Sequence, residues 1–167
     1  MLNKKDVINK LSLDSNNLKD LLNQLTSEQL NKTDLGEGWT VKDVVAHLAA
    51  WNKEDIAEID RILNNQATWQ NLYEEKEGED EFNRREVEKR REYSYEEVFN
   101  EWKSSYNKLL NKLENLTDGQ WEHKSGNDTW KLGRFKDVPV SVWSLFDYGE
   151  MTHEAKHVEA LRKFFAK

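Results

Sequence analysis

The chain has 167 residues, of which 37% are hydrophobic and 34% are charged, and seven are tryptophan. This length can bury the core of one ordinary domain, and the aromatic content excludes a disordered chain. The formal net charge of −7 argues against a general attraction to nucleic acid or to anionic membranes. We therefore expect a single domain over residues 1–167 whose partner is a small molecule or another protein, such as a second copy in a homodimer.

The chain contains no cysteine, which excludes disulfides, thiolate metal ligands and a cysteine nucleophile. Any thiol chemistry therefore needs a thiol supplied from outside. The N-terminal residues lack the uninterrupted apolar stretch of a signal peptide, and no apolar run reaches membrane-spanning length. These features predict a soluble cytoplasmic protein.

Two amphipathic helices are predicted in the first part of the chain. Apolar residues recur at steps of three, four and seven over residues 3–25, which is the stripe of a helix with one buried face. After a linker, Thr40 can cap a second helix whose third position holds Asp43, near the favourable end of the helix dipole. This helix carries His47 and fades near residue 64.

Two further helices are predicted beyond a long connection over residues 66–92, which holds a short charged helix. Ser94 and Glu97 have the spacing of a capping box, so a third helix begins behind Ser94. Residues 118–137 are predicted as a loop, and Pro139 as the start of a fourth helix. Four long helices with one crossover predict an all-α four-helix bundle, in which metal sites are built from facing helices.

Three of the four histidines lie in two of these helices. His47 is on the second helix, and His153 and His157 are one turn apart on the fourth. Residues four apart share a helix face, so this pair can offer ring nitrogens to one ion, and His47 can supply a third ligand. Three imidazoles leave a position on Zn open for water or substrate, and they equally suit Ni or Fe(II).

Spacing alone leaves other interpretations open. A buried histidine is often a hydrogen-bonded core residue, and a helical H-x3-H is often incidental. The string HEAKH also matches the zinc-protease motif H-E-x-x-H, with Glu154 as general base. A protease needs a third ligand downstream, and Glu159 is the sole carboxylate that follows His157.

Other side chains are candidates to support such a site. Asp43, four residues before His47, and Glu150, three before His153, can hydrogen-bond the far nitrogen of a ligand ring. The candidates to line an adjoining pocket are Trp51, Asn83, Arg90 and Tyr148.

The segment GWTVKDVVAHLAAWN, followed at a distance by H-x3-H, resembles the DinB-like superfamily. This group includes bacillithiol transferases and the N-terminal domain of mycothiol-dependent maleylpyruvate isomerase. The resemblance spans about residues 36–165 and includes the middle piece DEFNRREVEKRREYSYEEVFNEW. It implies a divalent metal held by His47, His153 and His157, so that the third ligand comes from the second helix.

In characterised relatives the metal activates a low-molecular-weight thiol for transfer or isomerisation. The resemblance therefore implies a metal-dependent thiol S-transferase that acts on small electrophiles with an external thiol as cosubstrate. Two alternatives stay open, a non-catalytic bundle that binds a ligand or metal in a stress response and a metallohydrolase of the H-E-x-x-H type. Because imidazole must be neutral to ligate, metal affinity is expected to weaken below about pH 6.5.

Overall fold

The computed structural model describes residues 2–69, 78–131 and 133–166, which are mostly helical with one small two-stranded sheet. None of the helices in these ranges is both long enough and apolar enough to cross a membrane. In chain order the elements are α1 (Lys4–Leu22), α2 (Ser27–Asn31), α3 (Val41–Leu63), α4 (Gly78–Glu88), α5 (Tyr95–Asn115), α6 (Asp118–Trp121), β1 (Lys124–Thr129), a 3-10 turn (Gly133–Phe135), β2 (Pro139–Ser141), α7 (Val142–Leu145) and α8 (His153–Phe165).

Capping side chains determine where two of the long helices begin. The Thr40 side chain accepts a hydrogen bond from the backbone N–H of Asp43, and the Asp43 carboxylate accepts one from the Thr40 N–H at 2.8 Å. Ser94 and Glu97 form the same reciprocal pair at the start of α5. Each pair satisfies backbone donors that a helix start leaves unpaired. The predicted starts of the second and third helices are therefore confirmed.

The core lies between α1, α3, α5 and α8. The most extensive helix contact joins α3 to α5, while α1 contacts both α5 and α8, and α8 contacts α3. Aliphatic side chains from these helices fill the interior, and each one fully removed from water contributes about 1.5–3 kcal/mol. The largest fully buried side chains on α1, α3 and α5 are Leu18, Leu22, Leu48, Ile59, Ile62, Leu109 and Leu113.

The predicted fourth helix is wrong between Pro139 and Thr152. Pro139 begins β2, which pairs antiparallel with β1, and a single helical turn, α7, follows it. Gly149 then adopts a φ of 74°, a left-handed conformation that suits glycine and prevents helical continuation. The C-terminal helix α8 starts only at His153, so His153 and His157 lie in its first two turns.

Two segments predicted as irregular contain regular structure. Residues 26–38, predicted as a linker, hold α2, which begins with a capping box of its own. Residues 118–137, predicted as a loop, hold α6 and β1. Asp128 of β1 accepts a hydrogen bond from the backbone N–H of Thr68 at 2.9 Å. This contact holds the sheet against the chain that leaves α3.

The long connection contains the short charged helix that the sequence predicts, α4. Residues 74–77, part of the acidic run before it, lie outside the described residues. Arg90, just after α4, donates to both carboxylate oxygens of Glu101 at 2.9 Å and to Glu86 at 3.1 Å. Because Arg90 is buried, these charge-assisted bonds tie the end of α4 to α5.

Leu109→Ala should destabilise the protein by about 3 kcal/mol, because it leaves a cavity at a core position that is 1% exposed. Leu13→Ala, the same change at a helix position that is 61% exposed, should alter the free energy of unfolding by less than about 0.5 kcal/mol. Urea unfolding followed by circular dichroism measures both. Equal losses at the two positions would contradict this core.

Candidate metal centre

Two helices bring three imidazoles to one place. His47 lies in the second turn of α3, and His153 and His157 lie in the first two turns of α8. His47 is buried, and the other two are half-buried. The three residues are called the histidine triad below.

The ring nitrogens of the triad face one another. Nε2 of His153 lies 2.9 Å from Nε2 of His47 and 3.3 Å from Nε2 of His157. One ring nitrogen from each residue belongs to a group in which no two atoms are more than 4.8 Å apart. The planes of His47 and His153 are inclined at 86°, so the rings converge edge to face and do not stack.

This spacing fits a shared cation. In a tetrahedral site with Zn–N distances of about 2.0–2.1 Å, two donor atoms stand about 3.3 Å apart. A neutral imidazole nitrogen carries either a proton or a lone pair, so Nε2 of His153 cannot donate to His47 and also accept from His157. A cation among the three nitrogens would be bound by one lone pair from each neutral ring. The donors are all imidazole nitrogens, which suits Zn, Ni or Fe(II).

Burial keeps the three imidazoles neutral. Burial, and then the charge of His157, lowers the pKa of His47 to about 3, while Asn83 acts in the opposite direction. Burial and the other two imidazoles lower the pKa of His153 to about 2. Burial and then Lys156 lower the pKa of His157 to about 4. The triad is therefore in its ligating form well below pH 6.5, which moves the expected loss of metal affinity to a lower pH.

The start of α8 is held from two sides. The Thr152 hydroxyl accepts a hydrogen bond from the backbone N–H of Ala155, which caps the helix. The same hydroxyl donates to the carboxylate of Asp14 on α1 at 2.7 Å. Thr152 is buried, so both bonds are shielded from water. Together they fix the position of α8 and hence of His153, which follows Thr152 directly.

Aromatic side chains enclose His47. The ring centroid of Trp39 lies 5.5 Å from that of His47, and the Trp51 centroid lies 6.3 Å away, both in edge-on geometry. Nε1 of Trp51 donates to the side-chain oxygen of Asn83 at 2.8 Å, which links α3 to α4. Nδ1 of His47 has no hydrogen-bond partner among the described residues. Trp51 and Asn83, two of the candidates for a pocket, thus lie beside the triad.

A cavity of about 710 Å³ adjoins the triad, and His153 and His157 form part of its wall. Tyr148, a third pocket candidate, also lines it. This volume lies in the range of pockets that hold small molecules. The aromatic lining residues are Trp51, Trp69, Trp130 and Tyr148, the acidic ones are Glu54, Asp55, Glu58 and Glu79, and Lys156 is the cation among the described lining residues.

The remaining candidates have other partners. Asp43 is engaged with Thr40 in the cap of α3. Glu150 is exposed before α8, and its backbone carbonyl accepts a hydrogen bond from Lys10 at 2.7 Å. Arg90 is held by its carboxylate partners between α4 and α5. In the described part of the chain, no recorded contact joins any of these three candidates to a triad imidazole.

Glu154 belongs to the interior and not to the cavity. It is 3% exposed, and it is not one of the residues that line the cavity. Burial raises the pKa of its carboxyl group to about 7, with Asp14 acting in the same direction. The base of an H-E-x-x-H site has to reach water on the metal. This location therefore does not favour the hydrolase interpretation.

The sequence interpretation missed Asp55. His47, Trp51, Asp55 and Glu58 follow one another at steps of four, four and three, so they share one face of α3. That periodicity was available in the sequence. Tyr148, a pocket candidate from a distant segment, lines the same cavity as this face of α3.

The fold and the triad define a mostly helical protein with a three-histidine cluster at a cavity. Residues 12–133 match the model of the mycothiol maleylpyruvate isomerase N-terminal domain family. The chain belongs to this family, which is part of the DinB-like superfamily. The matched segment contains His47 and ends before His153. No curated protein and no solved structure matches the chain significantly.

In the metal-free protein, the ring signals of the triad should not titrate between pH 8 and pH 5, because their pKa values are about 2 to 4. Proton NMR, with each ring assigned through a His→Gln variant, measures this. The unfolded chain does take up protons near pH 6.5. Relative to His47→Gln, the wild-type protein should therefore lose stability as the pH falls from 7 to 5. A midpoint near 6.5 for any triad ring would contradict the buried, neutral cluster.

Proposed function

We propose that this protein binds one divalent metal ion through the histidine triad and transfers an external thiol to small electrophiles. The observation that supports it most is the convergence of three imidazole nitrogens beside a cavity that His153 and His157 line. In this proposal α1, α3, α5 and α8 form a four-helix bundle, and the connection between α3 and α5 is its crossover. The bundle holds the ligands on two separate helices, so the site forms only when the chain is folded.

Three protein ligands suit a catalytic metal, since a further position stays open for water or substrate. A divalent cation bound there would lower the pKa of a coordinated thiol, so that thiolate is available at neutral pH. The chain's own task is to hold three neutral imidazoles in place. The hydrogen bond from Thr152 to Asp14 and the aromatic neighbours of His47 serve this task.

The thiol comes from outside, because the chain has no cysteine. The family's name points to mycothiol as one candidate. In the transfer, the thiol gives its proton to solvent and the sulfur electron pair forms the new S–C bond. The leaving group departs with the electron pair of the bond that breaks. When the electrophile is an activated double bond, the displaced pair takes up a proton and no group leaves.

The cavity beside the triad would hold the electrophile. Trp51 and Tyr148 line it and can pack against the apolar part of a small substrate, which places the reacting carbon near the triad. The cytoplasm, where low-molecular-weight thiols are kept reduced, is the compartment that suits this reaction.

The loss of any triad imidazole removes a metal ligand. It should therefore weaken Zn binding by more than the roughly 10–100-fold that follows the loss of a hydrogen-bond partner of a ligand. The variants that test this are His47→Ala, His153→Ala and His157→Ala. His123→Ala is the matched control, since His123 lies outside the triad and contacts Asn65 at 3.2 Å. Calorimetric titration of chelator-treated protein with Zn measures the affinities, and Ni and Fe(II) are tested in the same way. Unchanged affinity in any triad variant would contradict a three-ligand site.

Metal-loaded protein should accelerate the conjugation of a cellular thiol with a model electrophile over many turnovers. Mycothiol, bacillithiol, glutathione and cysteine are each tested with monobromobimane, and the fluorescent product is followed. Metal-free protein and His47→Ala should not accelerate the reaction, since neither holds the ion. Ligand uptake at one equivalent without turnover would contradict the transferase and identify a binding protein.

A further inference from the structure

The cavity beside the triad has an excess of acidic side chains. Four carboxylates line it, and Lys156 is the cation among the described lining residues. Two of the four carboxylates form ion pairs with Arg61, which contacts Glu54 and also contacts Glu58 at 2.6 Å. Glu58 also accepts the backbone N–H of Trp69 at 2.9 Å. Arg61 therefore holds both glutamates in place and offsets one of their two negative charges.

In the described part of the chain, no ion pair joins Asp55 to a basic side chain. The described charged groups that act on its carboxyl are the acids Glu154, Glu58 and Glu54, while a hydrogen bond with Tyr148 acts in the opposite direction. Burial and these three carboxylates hold the pKa of Asp55 well above its ordinary range. A carboxyl group in such surroundings is stabilised in its charged form when a cation is brought to it.

Aromatic side chains line the same cavity as Asp55. Trp51 precedes Asp55 by one helical turn on the same face of α3. The ring centroid of Trp51 lies 5.5 Å from that of Trp69 and 4.7 Å from that of Phe82. The electron-rich faces of such rings attract cations, and most strongly those of tryptophan. Acidic and aromatic groups thus meet in one cavity of about 710 Å³.

We propose that this cavity binds an organic cation, with its ammonium group beside Asp55 and its carbon groups against Trp51 and Trp69. The assignment of that cation as a substrate rests on the proposed function, because His153 and His157 of the triad form part of the same wall. One of the two reactants, the thiol or the electrophile, then carries a positively charged nitrogen. The binding itself does not require the metal.

A second cavity allows specific binding of a cation to be distinguished from non-specific binding of apolar molecules. An apolar groove of about 440 Å³ is also lined by His157, together with Leu35, Trp39 and Phe164. Glu37 is the one acidic residue among its described lining residues. A neutral apolar molecule should prefer this groove, and the cation should not.

The test uses two probes of nearly equal shape and different charge. Choline carries a quaternary nitrogen without a lone pair, so it cannot ligate a metal, and 3,3-dimethylbutan-1-ol is its neutral isostere. The full chain, metal-free and then Zn-loaded, is titrated with each probe by calorimetry and by tryptophan fluorescence. Choline should bind in both states, and about tenfold or more tightly than the neutral isostere.

Asp55→Asn should weaken choline binding by about tenfold and leave the neutral isostere unaffected, because it removes charge with little change of shape. Trp69→Leu, a second variant on another segment, should also weaken it. Phe164→Leu, in the apolar groove, is the control and should bind choline as the wild type does. Circular dichroism and Zn affinity report whether each variant is folded.

Equal binding of the two probes, no choline binding by folded protein, or full choline affinity in Asp55→Asn would each overturn the cation site. None of these results would contradict the metal proposal, which is tested by Zn affinity and turnover. Conversely, choline binding by a protein that fails to bind Zn would preserve the cation site and remove the proposed function.

Discussion

The convergence of three imidazole nitrogens, with separations of 2.9 Å and 3.3 Å between neighbours, is the central constraint on this structure. The rest of the structure maintains this arrangement. Burial keeps the rings neutral, so they do not repel one another as imidazolium ions. The contact between Thr152 and Asp14 holds the start of α8, and the reciprocal cap at Thr40 starts the helix that carries His47. These contacts together keep the three imidazoles in place.

The two cavities beside the triad differ in charge, and this difference bears on the proposed function. Arg61 pairs with Glu54 and Glu58 and offsets one of their two charges, while Asp55 lies among acids with Tyr148 as its favourable contact in the described residues. His157 lines both the acidic cavity and the apolar groove. In the proposed transfer, these two cavities offer places of different polarity for the thiol and the electrophile.

Features that depend on neighbouring residues were predictable from the sequence, while features that depend on contacts between distant segments were not. The pairs Thr40–Asp43 and Ser94–Glu97 lie within one helical turn, so the starts of α3 and α5 follow from neighbouring residues. Pro139 suits the start of a helix and the start of a strand alike, and its pairing with β1 decides the outcome. The triad was predictable because histidines are few, helical spacing joins His153 to His157, and the family resemblance adds His47 from another helix. The position of Asp55 on the His47 face of α3 also follows from helical spacing, but its acidic surroundings include Glu154 from a distant segment and could not be predicted locally.

The most direct test replaces the metal with cobalt(II) and follows its absorption spectrum as a thiol is added. The chain has no cysteine, so a sulfur-to-cobalt charge-transfer band can arise only from the added thiol. We expect cobalt to bind at one equivalent, and the band to appear on addition of thiol, to saturate at one thiol per cobalt and to be absent in His47→Ala. Cobalt that binds through the triad and shows no spectral change with any thiol would contradict a metal site that activates an external thiol.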